Sequence, residues 1–136
     1  MQESYISYKT AQLAKEKGFN WNCFGHYSSD ESLQTIHDYI KYDATLTEMY
    51  ERNFNSVDWM KEICLAPTQS LLQRWLREVH KIDVVALSYD NIPIDYCSHV
   101  YLHTPNNNLK KQVLSAKPTC EEALEDGLKV GLNLIP

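Results

Sequence analysis

The sequence has no apolar run approaching the roughly 18 residues needed to cross a bilayer. Its start, Met1-Gln2-Glu3-Ser4-Tyr5, lacks a basic residue followed by an apolar stretch, so it is unlike an export signal. Both absences lead to the expectation of a cytoplasmic protein with no membrane partner. Glycine and proline are scarce, four and five residues among 136, which leaves little material for long linkers. No internal repeat or low-complexity segment is present, so one domain over residues 1–136 is expected. The four cysteines, Cys23, Cys64, Cys97 and Cys120, form no Cys-x-x-Cys pair, and free thiols in a reducing compartment are the expected state. Also missing are Gly-x-Ser-x-Gly, His-Glu-x-x-His, a phosphate-binding loop and a dinucleotide fingerprint. The commonest routes to catalysis are thereby removed, and the expectation is a protein that is not an enzyme and carries no cofactor.

What is present is an ordinary globular mixture, 43% hydrophobic and 23% charged, enough for a packed core. The net charge of −5 argues against a protein that chiefly coats nucleic acid. The charge is uneven: residues 27–66 carry eight acids and three bases, whereas residues 67–118 carry six bases and four acids. Aromatics are plentiful, with nine tyrosines and three tryptophans.

Helical signals occur at three places. Ser7 is suited to cap a helix over residues 8–17, with Gly18 as the left-handed terminator and Phe19 as the following apolar contact. Ala66 to His80 has Pro67 and Thr68 at its entry and an apolar stripe of Leu71, Leu72, Trp75, Leu76 and Val79. Thr119-Cys120-Glu121-Glu122 reads as a capping box for a last helix, along which Ala123, Gly127 and Gly131 make a narrow stripe suited to close packing. Between the second and third helices, Ile82–Tyr89 is rich in strand formers. In Ile94–His103, Tyr96, Ser98, Val100 and Leu102 alternate with Cys97, His99, Tyr101 and His103, so the two segments predict an antiparallel hairpin. Residues 109–116 suit a third short strand. Residues 20–66 are read less readily: Phe19, Trp21, Phe24 and Tyr27 suggest an aromatic cluster, residues 32–42 a helix or an irregular segment with Leu33, Ile36 and Ile40 inward, and residues 46–54 a further helix, with a long acidic insertion as the alternative. The expected fold is α+β: a small antiparallel sheet of two to four strands packed against two main helices, with an irregular or helical acidic, aromatic-rich segment.

Three constellations suggest function. Arg74, Arg77 and Lys81 on the polar face of the second helix, followed by a hairpin, suit nucleic-acid binding, with Lys110, Lys111 and Lys117 as further phosphate contacts. The competing reading is the solvated face of an amphipathic helix. Cys23-x-x-His26 with Cys97, His99 and His103 offers thiolate and imidazole ligands for a zinc-stabilised domain. The competing reading is core thiols and surface histidines. Trp21, Tyr27 and Trp59 are aromatics of the kind that anchor protein interfaces, although about half of such residues belong to cores. Scattered carboxylates such as Asp38, Asp43, Glu48, Glu51, Asp58 and Glu62 read as solvation of a polar segment.

Three segments carry a resemblance: Ile6-Ser7-Tyr8-Lys9-Thr10-Ala11 through Lys15-Glu16-Lys17-Gly18-Phe19, Pro67 to Glu78, and Thr119-Cys120-Glu121-Glu122-Ala123-Leu124-Glu125-Asp126-Gly127-Leu128. Together they resemble a group of small proteins, of no established function, carried by phages, prophages and mobile elements of gut Bacteroidota. The resemblance implies a phage-like origin and the cytoplasm of a bacterial host. It implies no activity, substrate or catalytic residue. Thr119 and Glu122-Ala123-Leu124 are also similar to the end of HicB-like antitoxin domains. The resulting expectation is a non-catalytic accessory protein that binds a host or phage macromolecule, most readily a protein. A nucleic-acid-binding regulator and a zinc-stabilised domain are the alternatives, and self-association is compatible with each.

Overall fold

A computed structural model of the chain describes residues 4–28, 30–35, 64–88, 95–105 and 109–136. The expected helix over 46–54, Trp59 and most of the acidic segment lie outside these residues. The described residues form an α+β arrangement, divided between two compact units: Tyr5–Thr68, and Gln69–Pro136 with Met1–Ser4. No described helix is long and apolar enough to cross a membrane.

In the first unit, α1 spans Tyr8–Glu16. The Ser7 hydroxyl accepts from the Thr10 N–H at 3.3 Å, satisfying a donor that the first turn cannot pair internally. At the other end Gly18 takes φ +90°, a conformation that L side chains resist. This lets the Gly18 N–H reach Lys15 O at 3.1 Å and the Phe19 N–H reach Ala14 O at 2.9 Å, the paired bonds of a Schellman ending. The sequence expectation for this helix holds within one residue. Ala11, Ala14, Ile6, Phe19 and Cys23 are buried.

The same unit contains β1 (Gly25–Tyr27), β2 (Leu33–Thr35) and β3 (Cys64–Leu65), an antiparallel sheet in the order β2-β1-β3. Composition and period do not announce this sheet, because strands of two or three residues are too short to display alternation. Where a helix or irregular segment with Leu33 inward is expected, the structure has strand β2 and an exposed Leu33. Phe24 is likewise exposed. The turn between β1 and β2 is organised by Asp30, which accepts from the Ser28 hydroxyl, from the Ser32 hydroxyl at 2.6 Å and from the Ser32 N–H at 3.2 Å. These bonds, that of Ser28 foremost, hold its carboxyl at about 2.

The second unit is a helix, three strands and a helix: α2 (Gln69–His80), β4 (Ile82–Ser88), β5 (Tyr96–His103), β6 (Leu109–Val113) and α3 (Cys120–Asn133). The strands form an antiparallel sheet in the order β4-β5-β6, with Val84 opposite Val100 and Val100 opposite Gln112. Both helices pack against the sheet and against each other. The apolar stripe of α2 buries Leu72, Trp75 and Leu76, but Val79 is exposed, one turn beyond the packed stretch. Gln69 is buried in its place. Its side-chain amide donates to Glu121 O at 2.9 Å and to the Glu125 carboxylate at 3.0 Å, tying the start of α2 to the first turn of α3.

Lys81 ends α2 at φ +59°. Thr119 caps α3, its hydroxyl accepting from the Glu122 N–H at 3.1 Å. The reciprocal half of the expected capping box, from the Glu122 carboxylate, is not formed among the described residues.

The small-residue stripe of α3 lies directly on the sheet. A Cβ at Gly127 would stand 2.6 Å from Val84 Cγ1 and 2.8 Å from Ser98 Cβ. At Gly131 it would stand 3.1 Å from Val84 Cγ2 and 3.3 Å from Ile82 Cγ2 and Leu76 Cδ1. Val84 and Ser98 are fully buried and cannot turn aside. Alanine gains about 1 kcal/mol over glycine in helix propensity, whereas overpacking costs about 1–3 kcal/mol. At Gly127 the clash wins, so Gly127→Ala should destabilise the protein by about 1–2 kcal/mol in urea unfolding. At Gly131 the two effects nearly cancel, and Gly131→Ala should leave the midpoint almost unchanged. Equal behaviour of the two variants would contradict this packing.

His80, the last residue of α2, stacks edge-on against Trp75 with centroids 4.6 Å apart, and its Nε2 is buried with no partner among the described residues. A helix C-terminus favours imidazolium, but burial wins and pushes its pKa down. The unfolded chain therefore takes up this proton first as pH falls. His80 should cost nothing above about 6.5, the unperturbed value, and should remove stability progressively below it. Urea titrations at pH 7.5 and 5.5 should show this loss, and His80→Gln should reduce it.

Candidate functional site

The two faces of the β4-β5-β6 sheet differ in kind. Ile82, Val84, Ser98 and Val100 are buried on the helix-covered side. Strand alternation sends their neighbours to the opposite side: Asp83, Val85 and Leu87 from β4, Cys97, His99, Tyr101 and His103 from β5, and Leu109, Lys111 and Val113 from β6. The register places Leu87 opposite Cys97, Val85 opposite His99 and His99 opposite Val113. Tyr101 lies between Asp83 and Lys111.

The central row is linked by polar contacts. Cys97 Sγ lies 3.4 Å from His99 Nε2, and His99 Nδ1 lies 3.3 Å from the Tyr101 hydroxyl. Lys111 Nζ stands 5.7 Å from the centroid of the Tyr101 ring. At the far end His103 Nε2 lies 3.1 Å from Asp83 Oδ2, whose other oxygen is 4.0 Å from Arg77 Nη1. Around this row sit three large apolar side chains in water: Leu87 at 47% exposure, Leu109 at 54% and Val113 at 54%. A scattered apolar residue on a surface is ordinary; several on one sheet face, rimmed by polar groups, mark a surface for contact.

The Cys97–His99 pair has the composition of a thiol nucleophile and its base. The sulfur is only 4% exposed, however, and the second nitrogen of His99 faces a tyrosine hydroxyl rather than a carboxylate. The arrangement therefore suits recognition better than attack on a substrate.

The residues singled out in the sequence divide accordingly. Arg74 pairs with Glu78 one turn on, Nε to Oε1 at 2.8 Å, and this hydrogen bond and charge raise its pKa further. Arg77 faces Asp83, and Lys81 Nζ donates to Glu78 O at 3.0 Å beside the helix end that Lys81 itself terminates. The Tyr27 hydroxyl donates to Ile6 O at 2.6 Å, and its ring meets Tyr8 edge-on at 5.4 Å, so Tyr27 supports the first unit internally. Trp21 is half-buried in that unit. Trp59 lies outside the described residues.

Cys23 and His26 are buried in the first unit, while Cys97, His99 and His103 belong to the second. Among the described residues no group of three or more His, Cys, Asp and Glu side chains is placed to hold a metal. The Cys23 thiol donates to Gly25 O at 3.3 Å, and burial pushes it up to about 12, far from the thiolate that a metal needs. The row on β5 was visible in the alternation of the sequence. Its apolar rim from β4 and β6 was not, because which face the helices cover is settled only by tertiary packing.

The chain matches no protein-family model, and no curated protein sequence or solved structure is detectably similar to it.

All four cysteines are free. In a thiol titration of the native protein, half-buried Cys64 and Cys120 should react first. Cys23 and Cys97 should react only on unfolding. Rapid labelling of Cys97 would show that the row is more open than described.

Proposed function

We propose that this chain is a non-catalytic binding module that docks a protein partner on the helix-free face of the β4-β5-β6 sheet. The observation that carries this reading is the exposure of Leu87, Leu109 and Val113 on one face, around the His99–Tyr101 row. Apolar side chains exposed on one face and rimmed by polar groups mark a contact surface, and Tyr101 is of a type enriched at interface hot spots. The resemblance to phage and mobile-element proteins fits an accessory role of this kind in a bacterial cytoplasm. The nucleic-acid reading draws less support, because Arg74 and Arg77 each face an acid of their own unit.

The test is a pair of variants on the exposed face, Leu87→Asp and Val113→Asp, assayed for capture of a stoichiometric partner from host lysate with and without nuclease. Both should retain native circular dichroism and lose the partner, whereas Arg74→Glu should retain it. Capture that survives both face substitutions would overturn the proposal. Nucleic acid recovered in proportion to the protein, and lost with Arg74→Glu, would favour the alternative.

A further inference from the structure

The two edges of the β4-β5-β6 sheet are not equivalent, and the hydrogen-bond register shows why. The Leu114 N–H donates to Ser98 O at 3.0 Å. Antiparallel pairing alternates every two residues, so Val100–Gln112 and Leu102–Lys110 are the hydrogen-bonded pairs of β5 and β6. Leu109, Lys111 and Val113 therefore aim their N–H and C=O groups outward, away from β5. The same argument, from the His103 N–H donating to Lys81 O at 3.0 Å, aims the backbone of Val84 outward from β4. There the Gln73 side chain, reaching from α2, takes the Val84 carbonyl. The β4 edge is thus partly closed by its own helix. On β6 all five residues are exposed, and no described residue covers the outward groups of Leu109, Lys111 and Val113.

We infer that β6 receives an extended segment of a partner protein as an added antiparallel or parallel strand, and that this segment carries neighbouring acids, facing Lys110 and Lys111, flanked by apolar residues that face Leu109 and Val113. The inference rests on the docking face proposed above and names the chemistry of what docks there. Strand addition draws affinity from main-chain bonds and specificity from alternate side chains. The three residues with outward backbone also place their side chains on the helix-free face, so one added strand would meet both. Charge fixes the partner's sign: β6 carries Lys110 and Lys111 and no acid. The same lysines disfavour a second copy of this chain, because a two-fold centred on either would set like charges directly opposite.

The experiment is selection of a displayed library of random twelve-residue peptides on the full-length protein. Enriched sequences should carry a pair of neighbouring acids flanked by apolar residues. As synthetic peptides they should bind more weakly as salt rises and about tenfold or more weakly to the Lys110→Glu/Lys111→Glu double variant, as expected for close charge pairs. Both lysines are exposed, so that variant should fold. Methylating alternate backbone nitrogens of the peptide should abolish binding in one of the two registers. If peptides are enriched without acidic bias and tolerate methylation in both registers, yet fail on Leu87→Asp, the docking face stands and strand addition falls. If no peptide is enriched, or the protein self-associates through β6 in sedimentation, the inference is overturned.

Discussion

Val84 and Ser98 lie so close beneath α3 that the helix can approach only where it has no side chain, at Gly127. That approach sets the depth at which α3 rides on β4 and β5. It also lets Leu128 and Leu132 bury completely beside the glycine stripe. With α3 so placed, its first turn presents Glu121 O and the Glu125 carboxylate to Gln69, which brings α2 onto the same side. Both helices are then committed to one face of a three-stranded sheet. No described helix of this unit lies on the other face, and the side chains exposed there are where a function of this unit is most readily sought.

On that face, and at its edge, neutralisation is uneven. The acids and bases at the end of α2 and the start of β4 are matched in part: the Glu78 carboxylate pairs with Arg74, Lys81 donates to the Glu78 backbone carbonyl, and Asp83 stands beside Arg77 and His103. Exposed pairs of this kind add little stability, but they leave little unpaired charge at the helix. Lys110 and Lys111 have no acid on their strand, and Lys111 turns toward the Tyr101 ring. The β4 edge takes a side-chain cap from α2, whereas no described side chain caps β6. Lysines on an edge are a common guard against promiscuous pairing. In the strand addition proposed above they would also favour an acidic segment, since a guard against like charge is an invitation to the opposite sign.

Much of this was legible in the sequence, for reasons that can be stated. The ends of α1 follow from Ser7 and Gly18, because an N-cap hydroxyl and a left-handed glycine satisfy backbone groups locally. The faces of β5 follow from strict alternation over eight residues. The close seat of α3 follows from the spacing of Ala123, Gly127 and Gly131. What escaped were features decided by distant contacts. The strands of the first unit are too short to show a period. Val79 fits the apolar stripe of α2 but lies beyond the sheet's reach, whereas Gln69, a polar residue, is buried because α3 offers it two acceptors. Arg74, Arg77 and Lys81 read as a basic stripe because the acids that Arg74 and Arg77 face lie on the next turn and on a different element. Tyr27 reads as an interface aromatic because nothing local shows that Ile6 O accepts its hydroxyl.

The central claim is that β6 is a properly registered strand with one face and one edge open. Residue-resolved amide exchange tests it directly. Lys110 and Gln112, whose N–H groups turn toward β5, should exchange slowly, while Leu109, Lys111 and Val113 should exchange near the rate of an open chain. Strand β5, paired on both sides, should be protected at every residue from Cys97 to Leu102. Uniform protection along β6 would mean that its edge is already occupied, and uniform fast exchange that the strand is not stably paired. Either result would contradict the account.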